Sequence, residues 1–103
     1  MVWSEPVFLD PDLEKHFRRI KWKIMHNIAQ REVFLLILPL KENRSLQLIS
    51  SMVLLQKDYP MKDFCIVGLA ASKAAGFRLI EQITSEMYEK MKKVDYYQFF
   101  NIS

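Results

Sequence analysis

The chain has one cysteine, two glycines and four prolines in 103 residues. A single cysteine excludes an internal disulfide framework. Cys65 stands in the apolar run Phe64-Cys65-Ile66-Val67, where a small buried thiol is the expected role and the reducing cytosol the expected compartment. No internal repeat, low-complexity tract or Pro/Ser/Gly linker divides the sequence, so residues 1–103 are expected to form one unit. The longest unbroken apolar run, Val33 to Leu40, has eight residues and contains Pro39, whereas a bilayer-spanning helix needs about 20. The opening Met1-Val2-Trp3-Ser4-Glu5-Pro6 has neither a basic nor an apolar leader segment, so no signal peptide is expected. Charge of one sign is not in large excess either. Fifteen Lys+Arg face twelve Asp+Glu for a net +3, which as a chain average implies no nucleic-acid partner.

What is present is a hydrophobic share of 50% with 13% aromatics. That composition excludes intrinsic disorder. A chain this short buries roughly 60–70% of its unfolded surface, enough for one core.

Apolar residues around Glu5-Pro6 predict that residues 1–9 form a short edge strand or an arm packed on the body. Asp10-Pro11-Asp12 is a helix start, with Asp10 as cap, Pro11 at the first helical position and acidic residues at the positive end of the dipole. The stripe Leu13, Phe17, Ile20, Ile24 and Ile28 carries that helix to about Met25 or somewhat beyond. The continuous run Val33 to Leu38 reads as a strand buried on both faces, ended by Pro39. Asn43 or Ser45 caps a predicted second helix carrying Leu46, Ile49, Met52, Val53 and Leu55 to about Gln56. Lys57 to Pro60 reads as a turn, and Phe64 to Leu69 as a second buried strand. Ser72 caps a third helix reaching about Lys93, with Glu86/Lys90 and Glu89/Lys93 spaced as ion pairs. The aromatic tail, residues 94–103, is expected to be a short strand or a clamp over the core.

Two buried strands joined by a helix predict a right-handed βαβ unit. The expected fold is therefore a small α/β sandwich of two or three layers, helix-strand-helix-strand-helix, on a short parallel sheet. Such a sheet leaves hydrophobic edges. Either the terminal segments cover them or two chains share them, and a homodimer is expected.

In open parallel sheets, ligands gather at the carboxyl ends of the strands. Two predicted loops lie there, Pro39–Arg44 and Gly68–Lys73, both running into helix N-termini that attract anions. Lys41, Arg44, Gly68, Ser72 and Lys73 form a candidate anion site. The full phosphate-loop and dinucleotide fingerprints are absent, so no cofactor is implied, and an ordinary capped turn is the simpler reading. Gly76 falls in the third helix's apolar stripe, where glycine costs about 1 kcal/mol against alanine. Close approach of that helix to the sheet explains it.

The most concentrated charge lies on the first helix. Steps of 100° place Lys15, Arg18, Arg19, Trp22 and His26 opposite the apolar stripe, with Lys21 and Lys23 flanking. Such a face suits phosphates and a stacked base, or an anionic lipid surface. It equally suits a solvated face that complements the helix dipole, or a dimer interface. His16 and His26 lack metal-ligand spacing, no Ser lies in a G-x-S-x-G elbow, and no catalytic residue or metal site is indicated.

Leu54-Leu55-Gln56-Lys57-Asp58-Tyr59-Pro60, then Ile66-Val67-Gly68-Leu69-Ala70 and a long amphipathic helix, resemble a group of short bacterial α/β proteins with no assigned activity. The likeness covers about residues 32–100. It implies architecture and transfers no site residue. The expected function is a small self-associating binding or interaction module whose basic first helix contacts an anionic partner. The alternative is a phosphate-ligand-binding protein or enzyme using the two strand-end loops.

Overall fold

A computed structural model describes residues 2–28, 30, 32–40, 45–55 and 63–102. In chain order the elements are β1 (Val2–Leu9), a 3-10 turn (Pro11–His16), α1 (Phe17–Met25), β2 (Phe34–Pro39), β3 (Gln47–Ser50), a second 3-10 turn (Ser51–Leu55), β4 (Phe64–Ala70), α2 (Lys73–Met91) and α3 (Tyr96–Phe99). The four strands form one mixed sheet in the order β1-β4-β2-β3. β1 runs parallel to β4, while β2 is antiparallel to both neighbours.

This corrects the expected parallel βαβ unit. The two strands read from sequence, β2 and β4, are adjacent but antiparallel, with Phe34 opposite Ala70 and Pro39 opposite Phe64. The segment between them is no helix. Gln47–Ser50 pairs with β2 as an edge strand, and only the 3-10 turn Ser51–Leu55 follows it. Antiparallel neighbours need no helical crossover, so pairing along β2 overrides the helical spacing of Leu46, Ile49 and Met52. The predicted turn Lys57 to Pro60 lies outside the described residues. Of the two readings open for residues 1–9, the edge strand is found. Pro6 has no N–H to donate and is tolerated at an edge.

β4 is buried along its whole length because both sheet faces are covered. Leu13, Ile20 and Ile24 from the first helical segment pack on Leu35, Ile37, Phe64, Ile66 and Leu69. On the other face Ala75, Leu79 and Ile83 of α2 and Tyr97 of α3 pack on Leu36, Leu38, Cys65 and Val67. The sandwich therefore has three layers. Its radius of gyration, 13.1 Å, is that of one compact domain of about 100 residues.

A β-bulge interrupts the pairing of β4 with β2. Leu36 faces Gly68 and Ile37 faces Ile66, leaving Val67 as an extra residue. Gly68 is required there, since a Cβ would stand 2.9 Å from Leu36 Cδ1 and 3.3 Å from the Phe8 carbonyl oxygen. Gly76 marks the expected close approach. Its missing Cβ would lie 2.7 and 2.8 Å from the two methyls of Leu48 on β3.

The ends of the helices follow their caps. Ser72 accepts from the Ala75 N–H at 3.0 Å and starts α2. Lys92, left-handed at φ 56°, stops it, so Lys93 leaves the helical register that would pair it with Glu89. Lys90 Nζ sits over the Phe99 ring at 5.8 Å. The tail is neither a strand nor loose: Asp95 caps α3 through the Gln98 N–H, and the buried Tyr97 hydroxyl donates to the Pro39 carbonyl.

Candidate functional site

The first helical segment changes pitch at His16. Pro11–His16 is a 3-10 turn and only Phe17–Met25 is α-helical, so Lys15 lies one tighter turn before the α-helical face rather than in register with it. Within α1, Ile20 and Ile24 are buried, while Arg18, Arg19 and Trp22 point to solvent. Trp22 is 54% exposed. Its ring stacks on the His26 imidazole, with centroids 4.3 Å apart and planes 24° off parallel. His26 Nδ1 lies 2.8 Å from the Trp22 carbonyl oxygen. A carbonyl only accepts, so Nδ1 carries the proton in that bond and fixes the imidazole under the indole.

The cations around this pair divide into two sets. Lys15, Arg18 and Arg19 are exposed and Lys23 half-exposed. Lys21 turns away, its Nζ 5.0 Å from the centre of the Trp3 ring and 5.9 Å from that of Phe17, a cation–π contact. His16 is exposed at the junction. A shallow depression of about 510 Å³ opens among Glu14, Lys15, His16, Phe17, Arg18 and Arg19.

Charge is strongly segregated along the chain. Residues 15–31 hold six of the fifteen Lys and Arg and none of the twelve Asp and Glu. The remainder of the chain, with nine cations against twelve acids, is net acidic. The modest average of +3 thus hides one basic segment in a chain whose remainder is acidic.

Of the candidate anion site, the structure describes Gly68, Ser72 and Lys73. Because β2 and β4 are antiparallel, the chain leaves β2 at Leu40 beside Asp63, bonded at 3.0 Å, at the amino end of β4. Gly68–Lys73 lies at the other end, six residue steps or about 20 Å away along the strand. Lys41 and Arg44 lie outside the described residues. Gly68 is buried in the bulge, Ser72 is occupied as the α2 cap, and Lys73 is exposed. The Ala71 N–H at that turn bonds the Asp10 carboxylate at 2.9 Å, so an acidic side chain already occupies the position a phosphate would take. This bond joins elements sixty-one residues apart, and the cap motif at Asp10 was its only trace in the sequence.

Cys65 is buried, and burial pushes its thiol pKa up. The hydroxyls of Ser4 and Ser51 donate to backbone carbonyls. Among the described residues, no three His, Cys, Asp or Glu side chains converge to hold a metal ion, and no helix is long and apolar enough to cross a membrane.

Comparison with family models, curated proteins and solved structures finds no match to this chain.

Proposed function

We propose that this chain is a binding module, not an enzyme, that engages an anionic partner through the outer face of α1 and associates with itself. The observation that carries the reading is the exposed Trp22, stacked on His26, with the exposed Arg18 and Arg19 one turn before it and Lys23 next to it in sequence, in a segment without acidic residues. Dipole compensation accounts for basic residues near a helix end, but not for a large indole left in water beside them. The test is fluorescence anisotropy with a labelled heparin fragment at low salt. Native protein binds it, Arg18→Glu/Arg19→Glu abolishes binding, and Lys73→Ala leaves it unchanged. Absence of binding at low salt would refute the reading.

Self-association is supported by the sheet edges. Among the described residues, β3 pairs only with β2 and β1 only with β4. On α2, Phe77 is 58% exposed and follows Gly76, the glycine that packs on Leu48 of the edge strand β3. Sedimentation equilibrium is expected to show a dimer that Phe77→Glu shifts to monomer, and a monomeric native protein would remove this half of the reading.

A further inference from the structure

We infer that the α1 face binds single-stranded nucleic acid, with Trp22 as the platform on which a base stacks. This rests on the reading of α1 as an anion-binding face and names its partner. The indole is held ready: His26 covers one of its faces at 4.3 Å and is itself fixed by the 2.8 Å bond to the Trp22 carbonyl. Trp22 nonetheless remains 54% exposed. Arg18 and Arg19 stand one turn before it on the same side, both exposed. An aromatic plane with cations alongside is the arrangement by which proteins hold unpaired bases and their phosphates.

The charge segregation makes the partner an anion. The use already made of α1's other face separates a nucleic acid from a lipid surface. A helix that lies on a membrane inserts its apolar face, and here Phe17, Ile20 and Ile24 are packed into the core on β2 and β4. The exposed positions around Trp22 are Arg18, Arg19, Met25 and His26, with Lys23 half-exposed, so the apolar Trp22 and Met25 stand among cations and do not form the continuous apolar face that a bilayer-lying helix inserts. Stacking on Trp22 also needs a base free of its partner strand, which selects single over double strands.

The experiment compares a labelled thymidine oligonucleotide of about 15 nucleotides with a labelled heparin fragment of similar charge, on native protein, Trp22→Ala, Trp22→Phe and Arg18→Glu/Arg19→Glu. A duplex and anionic phosphatidylserine vesicles complete the set. Trp22→Ala is expected to weaken the oligonucleotide about tenfold, the lower range of one lost base stack, and to change heparin less than about twofold. Trp22→Phe retains most of the affinity, and the Arg pair abolishes both interactions. Because the Trp22 side chain is outside the core, all variants are expected to keep the native circular dichroism spectrum. If heparin binds while the oligonucleotide does not, or Trp22→Ala weakens both equally, the nucleic-acid inference is overturned and the anion-binding reading stands. Binding to vesicles alone has the same meaning. If no polyanion binds, both are overturned.

Discussion

The Asp10 carboxylate accepts the Ala71 N–H at 2.9 Å while its other oxygen accepts the Asp12 N–H at 3.1 Å. The Asp10 N–H in turn donates to the Leu69 carbonyl at 2.9 Å. One buried side chain thus starts the first helical segment and closes the turn between β4 and α2, joining the carboxyl ends of the two parallel strands.

Asp10→Ala is therefore expected to destabilise the protein by about 2–3 kcal/mol, a lost cap plus a buried N–H left without a partner. Asp10→Asn keeps one acceptor and costs about half as much. Asp12→Ala, at an exposed site, stays within about 0.5 kcal/mol. Urea unfolding midpoints at constant m check all three. Equal effects at 10 and 12 would show that the Ala71 bond contributes nothing.

The two glycines have opposite prospects when substituted. Gly68→Ala meets the fully buried Leu36 and a backbone carbonyl, so it costs about 2–3 kcal/mol by overpacking. Gly76→Ala meets only the methyls of Leu48 on an edge strand. Overpacking there is offset by about 1 kcal/mol of helix propensity, leaving a loss of about 1 kcal/mol. In a Leu48→Ala background the clash is gone, and Gly76→Ala becomes stabilising by about 1 kcal/mol. A Gly76→Ala effect of the same sign in both backgrounds contradicts this packing.

These elements also show what the sequence made legible. Ser72 and the spacing of Gly76, Leu79, Ile80, Ile83, Met87, Met91 and Val94 announce α2 because cap and period agree, although Val94 lies past its end and is exposed. The runs at Phe34–Leu38 and Phe64–Ala70 announce buried strands because helices cover both faces. Gln47–Ser50 was hidden because its spacing fits a helix and only pairing with β2 makes it extended. The fully parallel sheet followed from that misreading and fails with it. The exposed basic face of α1 was legible from helical angles, apart from Lys21, which folds over Trp3, and Lys15, which the 3-10 pitch displaces.

Cys65 is expected to be inert in the native state. Burial raises its pKa, so folding favours the neutral thiol. The resulting stabilisation is present in full below the unfolded thiol's pKa, about 8.5. It is lost as pH rises from there through the raised folded value. Labelling by a disulfide reagent at pH 8 should be roughly a hundredfold slower than after denaturation, the factor given by an opening free energy of about 3 kcal/mol. Equally fast labelling of both states would contradict the burial.

On the proposed reading, the basic residues of α1 serve binding and not stability. Arg18→Glu/Arg19→Glu and Trp22→Ala, all at exposed positions, are each expected to shift unfolding free energy by less than about 1 kcal/mol. A larger loss would mean that this face packs against something the fold itself requires.

The most direct measurement is the salt dependence of oligonucleotide affinity between about 50 and 200 mM. Contact of three or four phosphates with Lys15, Arg18, Arg19 and Lys23 predicts a log–log slope of about −2 to −3, at roughly 0.7 per phosphate on a single strand, flattened by Arg18→Glu/Arg19→Glu. No binding at the low-salt end, or a slope the double variant leaves unchanged, contradicts the assignment of α1 as an anion-binding face.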